Sequence, residues 1–194
     1  MCQELLLTQR IDMGLRFRIE GSGYLWYVTT TVVDFTQVFV KEKYFLVLMN
    51  NLKFYRKQHN FRLIAYVIMP EHVHLILWLL GKSSISDVMR DLKKYSSVQI
   101  KEELHAENNQ RLISIFRNNS IGYKGQDFKL WMDRFDRVGI YTPQVLKQKV
   151  NYIHFNPVRR NLVEDILDWK YSSARNCYLD DQSAIKVDTD LILF

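Results

Sequence analysis

The sequence predicts an α+β protein of the ferredoxin-like split β-α-β type, with a four-stranded antiparallel sheet and an added C-terminal tyrosine-bearing helix. Three observations predict it. The apolar run from Ala65 to Trp78 is rich in β-branched and aromatic residues and reads as two strands joined at Met69-Pro70-Glu71. A strand-like and a helix-like stretch precede it, and a helix-like and a mixed stretch follow, which gives the order β-α-β-β-α-β. One more amphipathic stretch then starts at Thr142-Pro143, where Thr suits a helix N-cap and Pro the first turn.

The elements follow in order. Residues 24–33, from Tyr24 to Val33, have strand composition. Residues 38–58 place Phe39, Phe45, Leu48, Met49, Leu52 and Tyr55 at helical spacing. Residues 62–69 and 72–80 form the hairpin. Ser83-Ser84 caps a helix to about Glu103, with Ile85, Val88, Met89 and Leu92 as its buried stripe. Residues 106–127 are polar and asparagine-rich and read mostly as loop, with a short strand expected at Leu112–Phe116. The fourth strand is expected within Phe128–Val138. The last helix is expected to run to about Phe155 and to be ended by Pro157.

The chain has 194 residues, 47% of them hydrophobic, with only 7 Gly and 3 Pro, which suits a single ordered domain with flanking terminal segments. Its net charge is +6, which fits an anionic partner. Cys2 and Cys177 are too far apart in sequence for a zinc pattern or a disulfide framework, so a reducing cytoplasm is expected. The N-terminus lacks the basic leader and apolar stretch of a signal peptide, and no membrane span is expected.

His72-Val73-His74 is the most informative tripeptide. Strand side chains alternate between faces, so His72 and His74 project side by side. Two imidazoles on one rigid face can hold a divalent metal; two ordinary surface histidines are the alternative. The last helix carries Lys149, Tyr152 and Asn156 along one face, beside an apolar stripe of Leu146, Val150 and Ile153. A metal near Tyr152 would let its oxygen attack a phosphodiester and form a phosphotyrosine link; packing on an amphipathic helix is the alternative for this residue. The Asn156 amide oxygen, one turn on, is a candidate third ligand; a C-terminal cap or turn residue before Pro157 is the alternative. His154 is expected to serve packing. Arg159 and Arg160, with Lys149, can meet phosphates, and Arg90, Lys93 and Lys94 form a second basic group on the other helix; ordinary solvated charge is the alternative for each. Trp26, Tyr27 and Trp131 are possible stacking platforms, with core packing favoured for at least two of them.

Met69-Pro-Glu-His-Val-His-Leu75, followed by Tyr152-Ile-His-Phe-Asn-Pro-Val-Arg159, resembles the single-tyrosine HUH transposase family. Trp131, Arg134-Phe-Asp-Arg137 and Trp169-Lys-Tyr-Ser-Ser-Ala174 resemble blocks of its branch associated with repetitive extragenic palindromes, and the resemblance as a whole implies a core at about residues 24–178. The resemblance implies cleavage and joining of single-stranded, hairpin-bearing DNA through a 5′-phosphotyrosine. It implies Mg²⁺ or Mn²⁺ held by His72 and His74, with Tyr152 as nucleophile and Asn156 as the polar metal-site residue. Related insertion-sequence proteins usually carry Gln where this chain has Asn156. The protein is expected to work as a monomer or homodimer at the nucleoid. Two rival readings stay open: a domesticated, non-catalytic DNA binder, and a metal-dependent phosphodiesterase that uses water.

Overall fold

A computed structural model describes residues 24–191 of the chain; Cys2 and the N-terminal segment lie outside them. Four strands, β1 (Tyr24–Thr31), β2 (Phe61–Ile68), β3 (His72–Leu79) and β4 (Asp136–Gly139), form one sheet in the order β2-β3-β1-β4. All three pairings are antiparallel. This is the expected split β-α-β topology, in which a helix-bearing crossover separates β1 from β2 and β3 fills the gap between them.

The helices cover both faces. α1 (Glu42–Gln58) and α2 (Ile85–Ala106) pack on one face through Phe45, Leu48, Leu52, Val88, Met89 and Leu92, against Val28, Tyr66, Val73 and Leu75. α4 (Pro143–Arg159) covers the other through Leu146, Val150 and Ile153, against Leu25, Tyr27, Val67 and Ile76. A register shift between Leu63 and Ala65 in β2 lets Ile64 and Ala65 both face α4. Ser84 caps α2 as expected, and Asp87 completes a reciprocal capping box.

Three expectations are corrected. Residues 112–116 are not a strand: α3 (Gln110–Asn118) lies there, capped by the Asn109 side chain. Leu112, Ile113 and Phe116 fall on one helical face and are buried, and the asparagines that suggested loop are cap and turn residues. The fourth strand starts late, at Asp136, while Trp131 makes only an isolated bridge to Val32. Pro157 does not end the last helix; α4 continues to Arg159. A proline removes a single N–H, and the final turn closes through Arg160 N–H to Asn156 and Leu162 N–H to Pro157. A short helix, α5 (Ala174–Leu179), follows α4. No helix among the described residues is long and apolar enough to cross a membrane.

Candidate active site

The site lies where the N-terminal end of β3 meets α4. The two histidines stand as the strand period requires, with ring centroids 4.7 Å apart. His74 is 4% exposed. Its Nδ1 lies 2.9 Å from the Tyr27 hydroxyl and 2.8 Å from Thr29 Oγ1. Both partners come from β1, where Thr29 pairs directly with His74. With the ring proton on Nδ1, these two hydroxyl oxygens accept it and leave Nε2 with a free lone pair. That Nε2 is buried and has no hydrogen-bond partner.

His72 is held in the same manner by a different group. Its Nδ1 lies 3.0 Å from the Glu71 carboxylate, which is itself buried. The same carboxylate oxygen accepts from the Arg160 guanidinium at 2.6 Å. Glu71 and Thr29 are not among the expected site residues, and Tyr27 is expected only as a stacking platform or a core residue, not as a partner of His74. Glu71 adjoins the pair in sequence, and 27 and 29 repeat the two-residue spacing of 72 and 74, but only the sheet register joins the two strands.

α4 delivers the remaining groups. The Tyr152 ring stands edge-on to His74, 5.3 Å between centroids, and edge-on to Tyr27 at 6.2 Å. Asn156 is buried, lies close enough to His72 to bear on its protonation, and has a buried Oδ1 without a partner. Lys149 Nζ is 4.5 Å from the Tyr27 ring centre and 6.0 Å from that of Tyr152. The Arg159 guanidinium lies 5.3 Å from the Tyr152 ring centre. Two unpartnered buried donors, an imidazole nitrogen and an amide oxygen beside a second imidazole, suit a divalent cation that accepts nitrogen and oxygen ligands. No cluster of three or more His, Cys, Asp or Glu residues is placed to hold a metal among the described residues, so the amide and the substrate's own oxygens would have to complete the shell.

Burial holds the imidazoles neutral. His74 is pushed down to about 3, by burial first and then by the nearby His72 and Lys149. His72 is also lowered, by burial, with Glu71 opposing. Neutral imidazole is the ligating form.

His154 points away from this site. It is fully buried, its Nε2 lies 2.9 Å from Ser173 Oγ, and burial pushes it down to about 4. Below about pH 6.5 the unfolded chain takes up a proton at this position and the native chain does not, so stability falls with decreasing pH until the folded value is reached. The expected loss between pH 6.5 and 4 is up to about 3 kcal/mol from His154. Urea midpoints measured across that range should have a shallower pH slope in His154→Gln than in the wild type. Equal slopes would show that His154 is not the acid-sensitive group.

The α2 cations lie on the other side of the sheet. Arg90 is engaged by Asp87 and Asp91 at 2.8 and 2.9 Å. Lys93 is turned inward onto the carbonyls of Met132 and Asp133. Lys94 lies over the Tyr95 ring. Trp131 is a core residue, stacked on Phe39 and donating from Nε1 to Ser96, and Tyr27 lies buried beneath the site; neither is a platform for bases. Trp26 is partly buried, with the Arg137 guanidinium 5.6 Å from its ring centre.

The His-x-His pair of the sheet and the tyrosine-bearing helix meet, as the resemblance to single-tyrosine HUH transposases leads one to expect. Residues 29–119 match the family described as "Transposase IS200 like". The chain is 27% identical over 151 residues to a putative REP-associated tyrosine transposase of Haemophilus influenzae, covering 78% of this chain and 80% of that protein. It is 24% identical over 160 residues to the REP-associated tyrosine transposase of Escherichia coli K12, covering 81% and 79%. In fold it is similar to a REP-associated tyrosine transposase solved bound to a REP hairpin, with a TM-score of 0.61 and 22% identity over 94% of this chain and 95% of that one. The chain is thus similar to REP-associated tyrosine transposases over most of its length, and its residues 29–119 are similar to the IS200-like transposase family.

Proposed function

We propose that this protein cuts and rejoins single-stranded DNA through a covalent 5′-phosphotyrosine at Tyr152, with Mg²⁺ or Mn²⁺ held by His72, His74 and Asn156. The observation that carries the reading is the convergence of the Tyr152 ring on His74, whose Nε2 is buried and unpartnered, on the helix that also brings the unpartnered Asn156 Oδ1.

The residues divide the work. His72, His74 and Asn156 would hold a divalent cation, which when bound would supply polarisation of the phosphodiester and offset charge on the leaving oxygen. Thr29, Tyr27 and Glu71 fix the imidazoles, so little ordering is left to be done when substrate arrives. Lys149 and Arg159 flank the Tyr152 ring and place positive charge where a phosphate must lie. The Tyr152 oxygen bonds to phosphorus as the bond to the 3′ oxygen breaks, and that oxygen leaves as a 3′-hydroxyl after gaining a proton. The phosphodiester count is unchanged, so a 3′-hydroxyl can later attack the phosphotyrosine, rejoin the strand and release Tyr152 without external energy. Tyr152 packs on His74 of its own chain, which supports action in cis within one protomer.

The relative solved with a REP hairpin supports a hairpin-bearing strand as substrate. On α2, Lys94 is the better-placed of the expected backbone contacts, because Arg90 already carries two carboxylates and Lys93 two carbonyls. The test incubates the protein with a labelled hairpin-bearing strand and Mg²⁺, denatures it, and looks for label on the protein. A metal-dependent covalent adduct is expected. Cleavage without an adduct would favour attack by water, and binding without cleavage would favour a domesticated binder.

A further inference from the structure

The sequence offers Arg160 as a phosphate contact, but its place in the fold points to other work. It is the C-terminal cap of α4, and its N–H donates to the carbonyl of Asn156. Its guanidinium reaches across to the Glu71 carboxylate at 2.6 Å, and the same oxygen of Glu71 bonds His72 Nδ1 at 3.0 Å. Glu71 is 4% exposed and precedes β3 directly, and its backbone carbonyl accepts from Val32 N–H at 2.8 Å. A buried carboxylate with one cation and one imidazole donor has a fixed position. The chain of contacts Arg160–Glu71–His72 therefore ties the end of the tyrosine helix to the strand that carries the histidines.

We infer that Glu71 and Arg160 are positioning residues: they set the orientation of His72 and hold α4 so that Asn156 and Tyr152 stay in register with the histidine pair. This rests on the metal reading proposed above. It assigns Arg160 a role that does not involve DNA. It also makes a prediction against simple electrostatics. Through space, a guanidinium near His72 disfavours positive charge there, so removing it should tighten cation binding if charge were all that mattered. If Arg160 acts by holding Glu71 and α4 in place, removing it should weaken cation binding, on the scale of about tenfold seen when outer partners of metal ligands are lost.

The experiment measures Mn²⁺ binding to the full chain by electron paramagnetic resonance, without DNA, for wild type, Arg160→Met, Arg160→Lys and His72→Ala. Arg160 is more than half exposed, so Arg160→Met should fold, and a thermal melt of each variant checks this. The expected result is about tenfold weaker Mn²⁺ binding in Arg160→Met and partial rescue in Arg160→Lys, whose single ammonium can still reach Glu71. The salt dependence of DNA binding should be the same in wild type and Arg160→Met. Unchanged or tighter Mn²⁺ binding in Arg160→Met, or a salt slope lowered by about one unit, would overturn the inference and return Arg160 to phosphate contact. If wild type binds no Mn²⁺ that His72→Ala abolishes, the metal reading itself fails and this inference with it.

Discussion

Tyr152→Phe is expected to abolish DNA cleavage, by at least about a thousandfold in rate, while DNA binding and the melting temperature stay close to wild type. The substitution removes one oxygen. The contacts of Tyr152 are made by its ring, edge-on to His74 and Tyr27 and beneath Arg159, and Phe keeps all of them. The residue is 37% exposed, so its hydroxyl has access to a substrate and its loss leaves no buried polar group stranded. A packing role and a nucleophilic role thus diverge at this one atom. Single-turnover cleavage of a hairpin-bearing strand, with a binding isotherm on the same strand, reads the two separately. A mutant that cuts at the wild-type rate would place Tyr152 in the scaffold.

Replacing both His72 and His74 with Ala is the second large effect. Cleavage should fall by a factor comparable to loss of the nucleophile, and Mn²⁺ binding should disappear with it. From the sequence these imidazoles serve a site and not the core, so the fold should be largely retained. The structure qualifies that for His74, which is buried, stacks against Tyr27 at 5.6 Å between centroids, and bonds Tyr27 and Thr29. Its loss takes a shared partner from two hydroxyls, which keep only the 3.3 Å bond from Thr29 to Tyr27, and costs about 1–3 kcal/mol. His74→Gln, which fills part of the space, separates the two effects: it should recover stability without recovering cleavage. Full cleavage by the double Ala variant, or by wild type in excess chelator, would remove the metal from the account.

These effects trace to residues that differ in how plainly a sequence shows them. The histidine pair and the tyrosine helix are local patterns. His72 and His74 are two apart on a strand, Tyr152 and Asn156 four apart on a helix, and Thr142 caps that helix as expected through Val145 N–H. Period and capping chemistry suffice to orient them. What a local pattern cannot carry is the pairing of distant segments. Thr29 meets His74 only because β1 and β3 pair in that register, and Arg160 meets Glu71 only because α4 crosses the end of β3. Lys93 carries a positive charge like its neighbours, yet the loop containing Met132 and Asp133 folds back to capture it. α3 was hidden for another reason. Its nine residues hold three buried apolar side chains, too few for the helical period to outweigh the flanking asparagines.

The central claim is that Tyr152 becomes joined to DNA. The most direct measurement digests the denatured adduct, formed with a hairpin-bearing single strand and Mg²⁺, and locates the nucleotide-bearing peptide by mass spectrometry. One modified residue is expected, Tyr152, within the α4 peptide. A nucleotide on Tyr141, which is 66% exposed in the segment leading into α4, or on any residue other than Tyr152, would contradict it.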